Sequence, residues 1–168
     1  MVEVLNALER AGIEMWVDGG WGVDALLGGE LRSHQDLDLI LRLSDAGAAV
    51  ELIQAMGFEL AGGTPPSALY RDGSGRAVDI CAVVFDATGR GVYRPAEGGE
   101  RIYPAAGFEG RGTIAGKMVR CLTPETQMLL HGGYDATDKD VHDVQLLHEA
   151  FGLPLPDGYA RRITRPSP

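Results

Sequence analysis

Val4, Leu5 and Leu8 share one face of a helical period while Glu3, Glu9 and Arg10 take the other, so MVEVLNALERAG reads as an amphipathic helix closed by Gly12. EMWVD follows as a short strand. After Gly19 and Gly20 the helical period returns through Trp21, Val23, Ala25, Leu26 and Leu27 and stops at Gly28-Gly29. The loop GELRSHQ leads into DLDLILRL, whose apolar run suits a buried strand, and SDAGAAVELIQAMG reads as a helix with Ser44 at its N-cap and Gly57 at its close.

From Phe58 to about Leu122 the period shortens. Short strands alternate with the turn sequences GGTPPS, RDGSGR and TGRG, and AVDICAVVF is the clearest of them. The stretch from Tyr93 to Gly112, rich in Gly, Pro and Glu, reads as an irregular excursion near a site entrance. A helix then starts at TPETQ, with Thr123 as N-cap and Pro124 in the first turn, and DKDVHDVQLLHEAFG forms the last helix. The tail from Leu153 carries four prolines and is expected to wrap the surface or stay mobile.

A chain of 168 residues with 45% hydrophobic content supports one core, hence one compact domain with an attached helical segment. No apolar stretch approaches the ~20 residues needed to cross a bilayer, and the charged first helix does not read as a signal peptide. Cys81 and Cys121 lie in apolar strand-like runs without metal-ligand spacing, which fits a reduced, cytoplasmic setting. The net charge of -9 argues against a nucleic-acid polymer as ligand. It would attract a small cationic substrate, although solubility alone also accounts for it.

The chemistry concentrates at DLD. Residues i and i+2 of a strand share a face, so Asp36 and Asp38 project from one spot, where two carboxylates repel unless one takes a proton or a hard cation such as Mg2+ bridges them. Solvated edge charge is the bland alternative. Asp79, in AVDICAVVF, shares its face with Ala77 and Cys81. If its strand lies beside DLDLILRL, three carboxylates converge, enough for two Mg2+ ions or for one ion and a general base, as activation of a hydroxyl against a nucleotide α-phosphate requires. Gly19 and Gly20, between a strand and a helix, let backbone N–H groups approach a triphosphate, while the missing GxxxxGK[ST] pattern excludes a P-loop. Arg32 and His34, just ahead of the acids, and Lys139, at the start of a helix, are candidate phosphate contacts or ordinary exposed residues. Trp16 suits the core and Trp21 could stack on a base. His131, His142 and His148 have no metal spacing.

The order GGW, RSHQDLDLIL, VDI resembles the nucleotidyltransferase superfamily that includes DNA polymerase β, and within it the lincosamide and aminoglycoside 2''-nucleotidyltransferases. The resemblance implies an α+β nucleotidyltransferase fold, a mixed β-sheet flanked by helices. Residues 1–122 would form the catalytic domain and 123–168 a C-terminal helical segment and tail packed on it. It assigns Gly19, Gly20 and Trp21 to the nucleotide-binding turn, Asp36 and Asp38 to metal, and Asp79 to metal or general base. Gly20 stands where the wider superfamily usually has serine, as in the small drug-modifying members. The implied activity is Mg-dependent transfer of a nucleoside monophosphate, from ATP or another NTP, to a hydroxyl of a small molecule such as a lincosamide or aminoglycoside. A partner-protein acceptor, or a nucleotide-binding module without turnover, are the competing readings. A homodimer is compatible with the group.

Overall fold

The computed structural model describes residues 1–96, 98–132 and 136–163. The elements run α1 (Val2–Arg10), β1 (Met15–Asp18), α2 (Gly19–Leu27), β2 (Asp36–Arg42), α3 (Leu43–Ala55), β3 (Phe58–Thr64), β4 (Ser67–Asp72), β5 (Ala77–Phe85), β6 (Gly91–Tyr93), β7 (Arg101–Tyr103), a short 3-10 helix (Ala105–Glu109), β8 (Arg111–Ile114), β9 (Lys117–Arg120), α4 (Pro124–Leu130), α5 (Asp138–Phe151) and α6 (Tyr159–Ile163). The main sheet has the order β1-β2-β5-β4-β3, with β6 added to the far end of β5 and β7 to β6; β8 and β9 form a separate hairpin. Among the paired strands of the described residues, β2 and β5 alone run parallel. This is the mixed α+β architecture that the sequence implied.

β2 lies between β1 and β5 and is covered on both faces, which explains its nearly unbroken apolar run. Leu37, Leu39, Ile40 and Leu41 are all buried, and truncating one of them to alanine would cost about 2–5 kcal/mol. One face of the sheet packs Val17, Leu39, Val78 and Ile80 against Val4, Leu5 and Leu8 of α1 and Ala46, Ala49 and Ile53 of α3. The other face is divided. One end is closed by Trp16, Ile40, Val83, Tyr103, Phe108 and Leu122, and the other end carries the carboxylates. A third cluster joins Val23 of α2 to Met128, Val144, Leu147 and Tyr159.

Two hairpin tips are wired alike. In the β4–β5 turn, Asp72 Oδ1 accepts from the Ser74 N–H (3.0 Å), the Ser74 hydroxyl (2.8 Å) and the Arg76 N–H (2.9 Å), and Oδ2 accepts from Arg76 Nε (2.7 Å). In the β5–β6 turn, Asp86, Thr88 and Arg90 repeat that pattern at 2.7–3.0 Å. The shared spacing D-x-[S/T]-G-R therefore encodes one loop twice.

Several expectations are corrected. α3 begins at Leu43, straight out of β2, so its N-cap is Arg42 and Ser44 lies inside the first turn, hydrogen-bonded to Asp45. The stretch from Tyr93 to Gly112 is not simply irregular: β7 and the 3-10 helix place Tyr103 and Phe108 in the core, where Phe108's carbonyl accepts the Trp16 indole N–H at 2.8 Å. α5 is not the last helix. Through α6 the tail buries Tyr159, whose hydroxyl donates to the His131 carbonyl (2.8 Å). Residues 133–135 of the GGYD stretch and 164–168 of the tail lie outside the described residues.

Candidate active site

Strand register builds the site. Asp18, Asp38 and Asp79 are successive partners across β1, β2 and β5, and partners on neighbouring strands project to the same face about 4.8 Å apart. Asp36, two residues earlier, shares that face. The sheet thus brings together the three predicted carboxylates and adds a fourth. Asp18 was missed by sequence reasoning, although its place directly ahead of a helix-opening Gly-Gly is an N-cap signal: its Oδ1 accepts the Gly19 N–H at 2.8 Å.

Crowding sets the electrostatics. Burial, then the charges of Asp36, Asp18 and Asp79, push Asp38 up to about 8 against the pull of Arg32. Burial and Asp36 raise Asp79. Burial also raises Asp18, opposed by the Gly19 N–H, His131 and Arg101.

The two glycines are explained by what crowds them. Gly19 has φ +57°, and a side chain there would meet the Asp38 carboxylate; one on Gly20 would meet the Arg32 guanidinium and the His34 ring. The space that a serine would use at position 20 is filled by these two residues. Both are held by acids from other elements. Arg32 pairs with Asp143 of α5 through Nε (2.8 Å) and Nη2 (2.5 Å). His34 Nε2 contacts Asp24 of α2, with both side chains almost fully buried.

A cleft of about 360 Å³ gathers Gly19, Gly20, Arg32, His34, Asp36, Asp38 and Lys139 with Asp18, Arg101, His131 and Asp143. Gln127 of α4 lines it too; it is fully buried, and among the described residues neither end of its amide has a hydrogen-bond partner. Two predicted residues lie outside this cleft. Trp21 tilts against the His34 ring (centroids 4.8 Å apart) and faces the adjoining hollow beside Arg71 and Arg76. Asp79 forms part of the wall of a second cavity, on the other side of the acid row. Arg101, Gln127 and Asp143 carry no local sequence signal, because only the fold brings them here.

The residues present fit a hard divalent cation held with a nucleotide. The donors are carboxylate oxygens whose mutual repulsion a cation would relieve, and the unpartnered Gln127 amide stands beside them. Among the described residues, no group of three or more His, Cys, Asp or Glu side chains is placed to hold a metal ion by itself. A cation of the Mg2+ type commonly takes one or two carboxylates and completes its shell with substrate phosphates and water, so an open set suits it.

A mixed sheet that aligns carboxylates on adjacent strands beside a glycine-started helix defines the nucleotidyltransferase class of enzymes. The sequence profile of the aminoglycoside-2''-adenylyltransferase family matches residues 1–147, and the chain belongs to that family. It is 26% identical over 145 residues to a lincosamide resistance protein of Staphylococcus haemolyticus, covering 86% of this chain and 89% of that protein. A 55-residue stretch is 31% identical to a 2''-aminoglycoside nucleotidyltransferase of Klebsiella pneumoniae, covering 33% of this chain and 31% of that one. Among solved structures it resembles the lincosamide antibiotic adenylyltransferase LnuA with lincomycin bound (TM-score 0.76, 26% identity, 87% and 92% of the two chains). It shares the fold of ANT(2'')-Ia in complex with adenylyl-2''-tobramycin (TM-score 0.69, 21% identity, 96% and 88%).

Proposed function

We propose that the chain transfers AMP from Mg-ATP to a hydroxyl of a small molecule, a lincosamide or aminoglycoside antibiotic. The observation that carries this reading is the register that sets Asp38 beside Asp79, with Asp36 on the same face, at the start of α2. In this reading Asp36 and Asp38 hold the cation, which when bound offsets phosphate charge. The backbone N–H of Gly20 faces the phosphates, the Gly19 N–H being held by Asp18, and Arg101 and Lys139 supply positive charge. Asp79 takes the proton of the acceptor hydroxyl. As the acceptor oxygen bonds to the α-phosphorus, the bond from that phosphorus to the β-bridging oxygen breaks, and pyrophosphate leaves with the electron pair. Residues 1–122 supply the sheet and its acids. The segment from 123 onward closes the cleft through Gln127, Lys139 and Asp143.

The test is pyrophosphate release from Mg-ATP in the presence of lincomycin or tobramycin, with Asp36→Asn/Asp38→Asn as the blank. Drug-dependent release absent from the blank is expected; nucleotide binding without release for any hydroxyl acceptor would remove the reading. Asp79→Asn should abolish release while leaving nucleotide affinity largely intact, and loss of both together would assign Asp79 to the metal. The same reading includes a reduced, cytoplasmic setting, in which both cysteines remain thiols, and a homodimer, which light scattering reports.

A further inference from the structure

Residues 30–35, which lead from α2 into the acid strand β2, make no backbone–backbone hydrogen bond among the described residues. Two side chains anchor this loop instead, each on an acid from another element. His34, packed against Trp21 and Gly20, reaches Asp24 of α2, and Arg32 reaches Asp143 of α5 through Nε (2.8 Å) and Nη2 (2.5 Å). The two anchors differ in what they leave open. The His34 side chain is 2% exposed and that of Asp24 5%, so this pair is sealed inside the protein. The Arg32 side chain keeps 21% exposure and lines the cleft.

By charge alone Asp143 is out of place. Asp36 and Asp38 already supply carboxylates for a cation, and a further acid in the same cleft repels the phosphates of a nucleotide. Its geometry gives it another task. A carboxylate that accepts from Nε and Nη2 together fixes the plane of a guanidinium. Arg32 Nη1 also donates to the Ser33 carbonyl at 3.3 Å, and a guanidinium has more N–H donors than Asp143 and Ser33 accept. Those left over lie on Nη1 and Nη2, and Nη2 stands beside the Gly20 backbone, where an added side chain would collide with it. Among the described residues, Asp143 is the partner from another element that keeps this fork at Gly20.

We propose that Asp143 is a positioning residue: from α5 it turns the free fork of Arg32 toward the phosphates of a nucleotide bound at Gly20. The inference rests on the transferase reading for the nucleotide, but it can be tested by binding, without turnover. Charge and aim act with opposite signs at this one residue. If only its charge mattered, removing the acid would tighten nucleotide binding, because a repelling carboxylate is gone. If its aim matters more, removal weakens binding, because Arg32 regains the rotamer freedom of a surface arginine. A residue that only supported the fold would change stability and leave the affinity of the folded chain alone.

The experiment is calorimetric titration with Mg-ATP, without an acceptor, of the unmodified chain, Asp143→Asn, Arg32→Ala and Arg32→Ala/Asp143→Asn. Asp143→Asn should weaken binding about tenfold. With Arg32 already gone there is no fork to aim, so the same substitution should tighten binding about two- to threefold. Asp143→Glu keeps the charge, leaves the guanidinium paired and shifts the carboxylate by a methylene, so it reads the aim even where the asparagine variant does not fold. It should weaken binding at least ~threefold. Unchanged or tighter binding by either folded Asp143 variant overturns the proposal. So does an equal loss with and without Arg32, or no binding of Mg-ATP by the unmodified chain. Pyrophosphate release with lincomycin or tobramycin is read alongside. The expected affinities without release would leave Asp143 its task and remove the transferase reading. Release with affinities that follow charge alone would do the reverse.

Discussion

Asp72 and Asp86 at the hairpin tips differ from Asp38 in the site only in what surrounds them. Burial pulls Asp72 upward, but the Ser74 hydroxyl and the Arg76 guanidinium, with two backbone N–H groups, outweigh it and hold the group at about 2. The Thr88 hydroxyl leads the same downward shift at Asp86. Asp38 meets burial and three further carboxylates, and is pushed up to about 8. A carboxylate that serves the fold has its partners built in, whereas one that serves chemistry is left for a ligand to complete. Four perturbations test this contrast, from the largest expected effect to the smallest.

Asp38→Asn should lower pyrophosphate release at least about 1,000-fold, yet leave the melting temperature without Mg2+ unchanged or higher, because it removes one member of a repelling group. Differential scanning calorimetry decides the second half. A clear drop in melting temperature would mean that the site carboxylates also hold the fold, and the contrast would fail. Asp143→Asn probes a cleft charge that is answered. It leaves the Arg32 guanidinium, about a fifth exposed, facing a neutral amide, and should cost about 2 kcal/mol in urea unfolding. A change below about 0.5 kcal/mol would show that Arg32 is as free as an ordinary surface arginine.

These distinctions were legible in the sequence only in part. α1, α2, β2, β5 and α5 could be read because each carries its own period or apolar run and a glycine, polar cap or turn at its ends. β6 and β7 are three residues each and too short to show a period; they exist because β5 offers an edge. Asp36, Asp38 and Asp79 stood out as acids inside apolar strands. Asp18 was hidden behind its turn, and Arg101, Gln127 and Asp143 reach the cleft from elements 60 or more residues further along the chain than Asp38. Ser44 misled because a good capping residue does nothing when the preceding strand runs into the helix without a loop.

Gln127 extends the contrast to a neutral group. Its amide is buried beside the acid row and has no partner among the described residues, so Gln127→Leu removes a polar group that those residues leave unanswered. Stability should rise by about 1 kcal/mol, while Mg-nucleotide affinity falls about tenfold, each measured on the same variant. Lower stability with unchanged affinity would make Gln127 a packing residue.

The smallest effect is expected at the turns. In the folded chain Asp72 titrates below its unfolded value of about 3.9, so its stabilisation is present above that pH and is lost as the pH falls toward about 2; Asp86 follows in the same direction. The difference in urea midpoint between the unmodified chain and Asp72→Asn/Asp86→Asn should therefore be constant from pH 7 to about 5 and shrink steadily between about 4 and 2. Taking the difference cancels the other carboxylates that titrate over the same range. A difference that stays flat to the lowest pH would mean that the eight hydrogen bonds of the two turns do not favour the ionised form. Asp38 would then stand apart from the turn aspartates by its crowding alone.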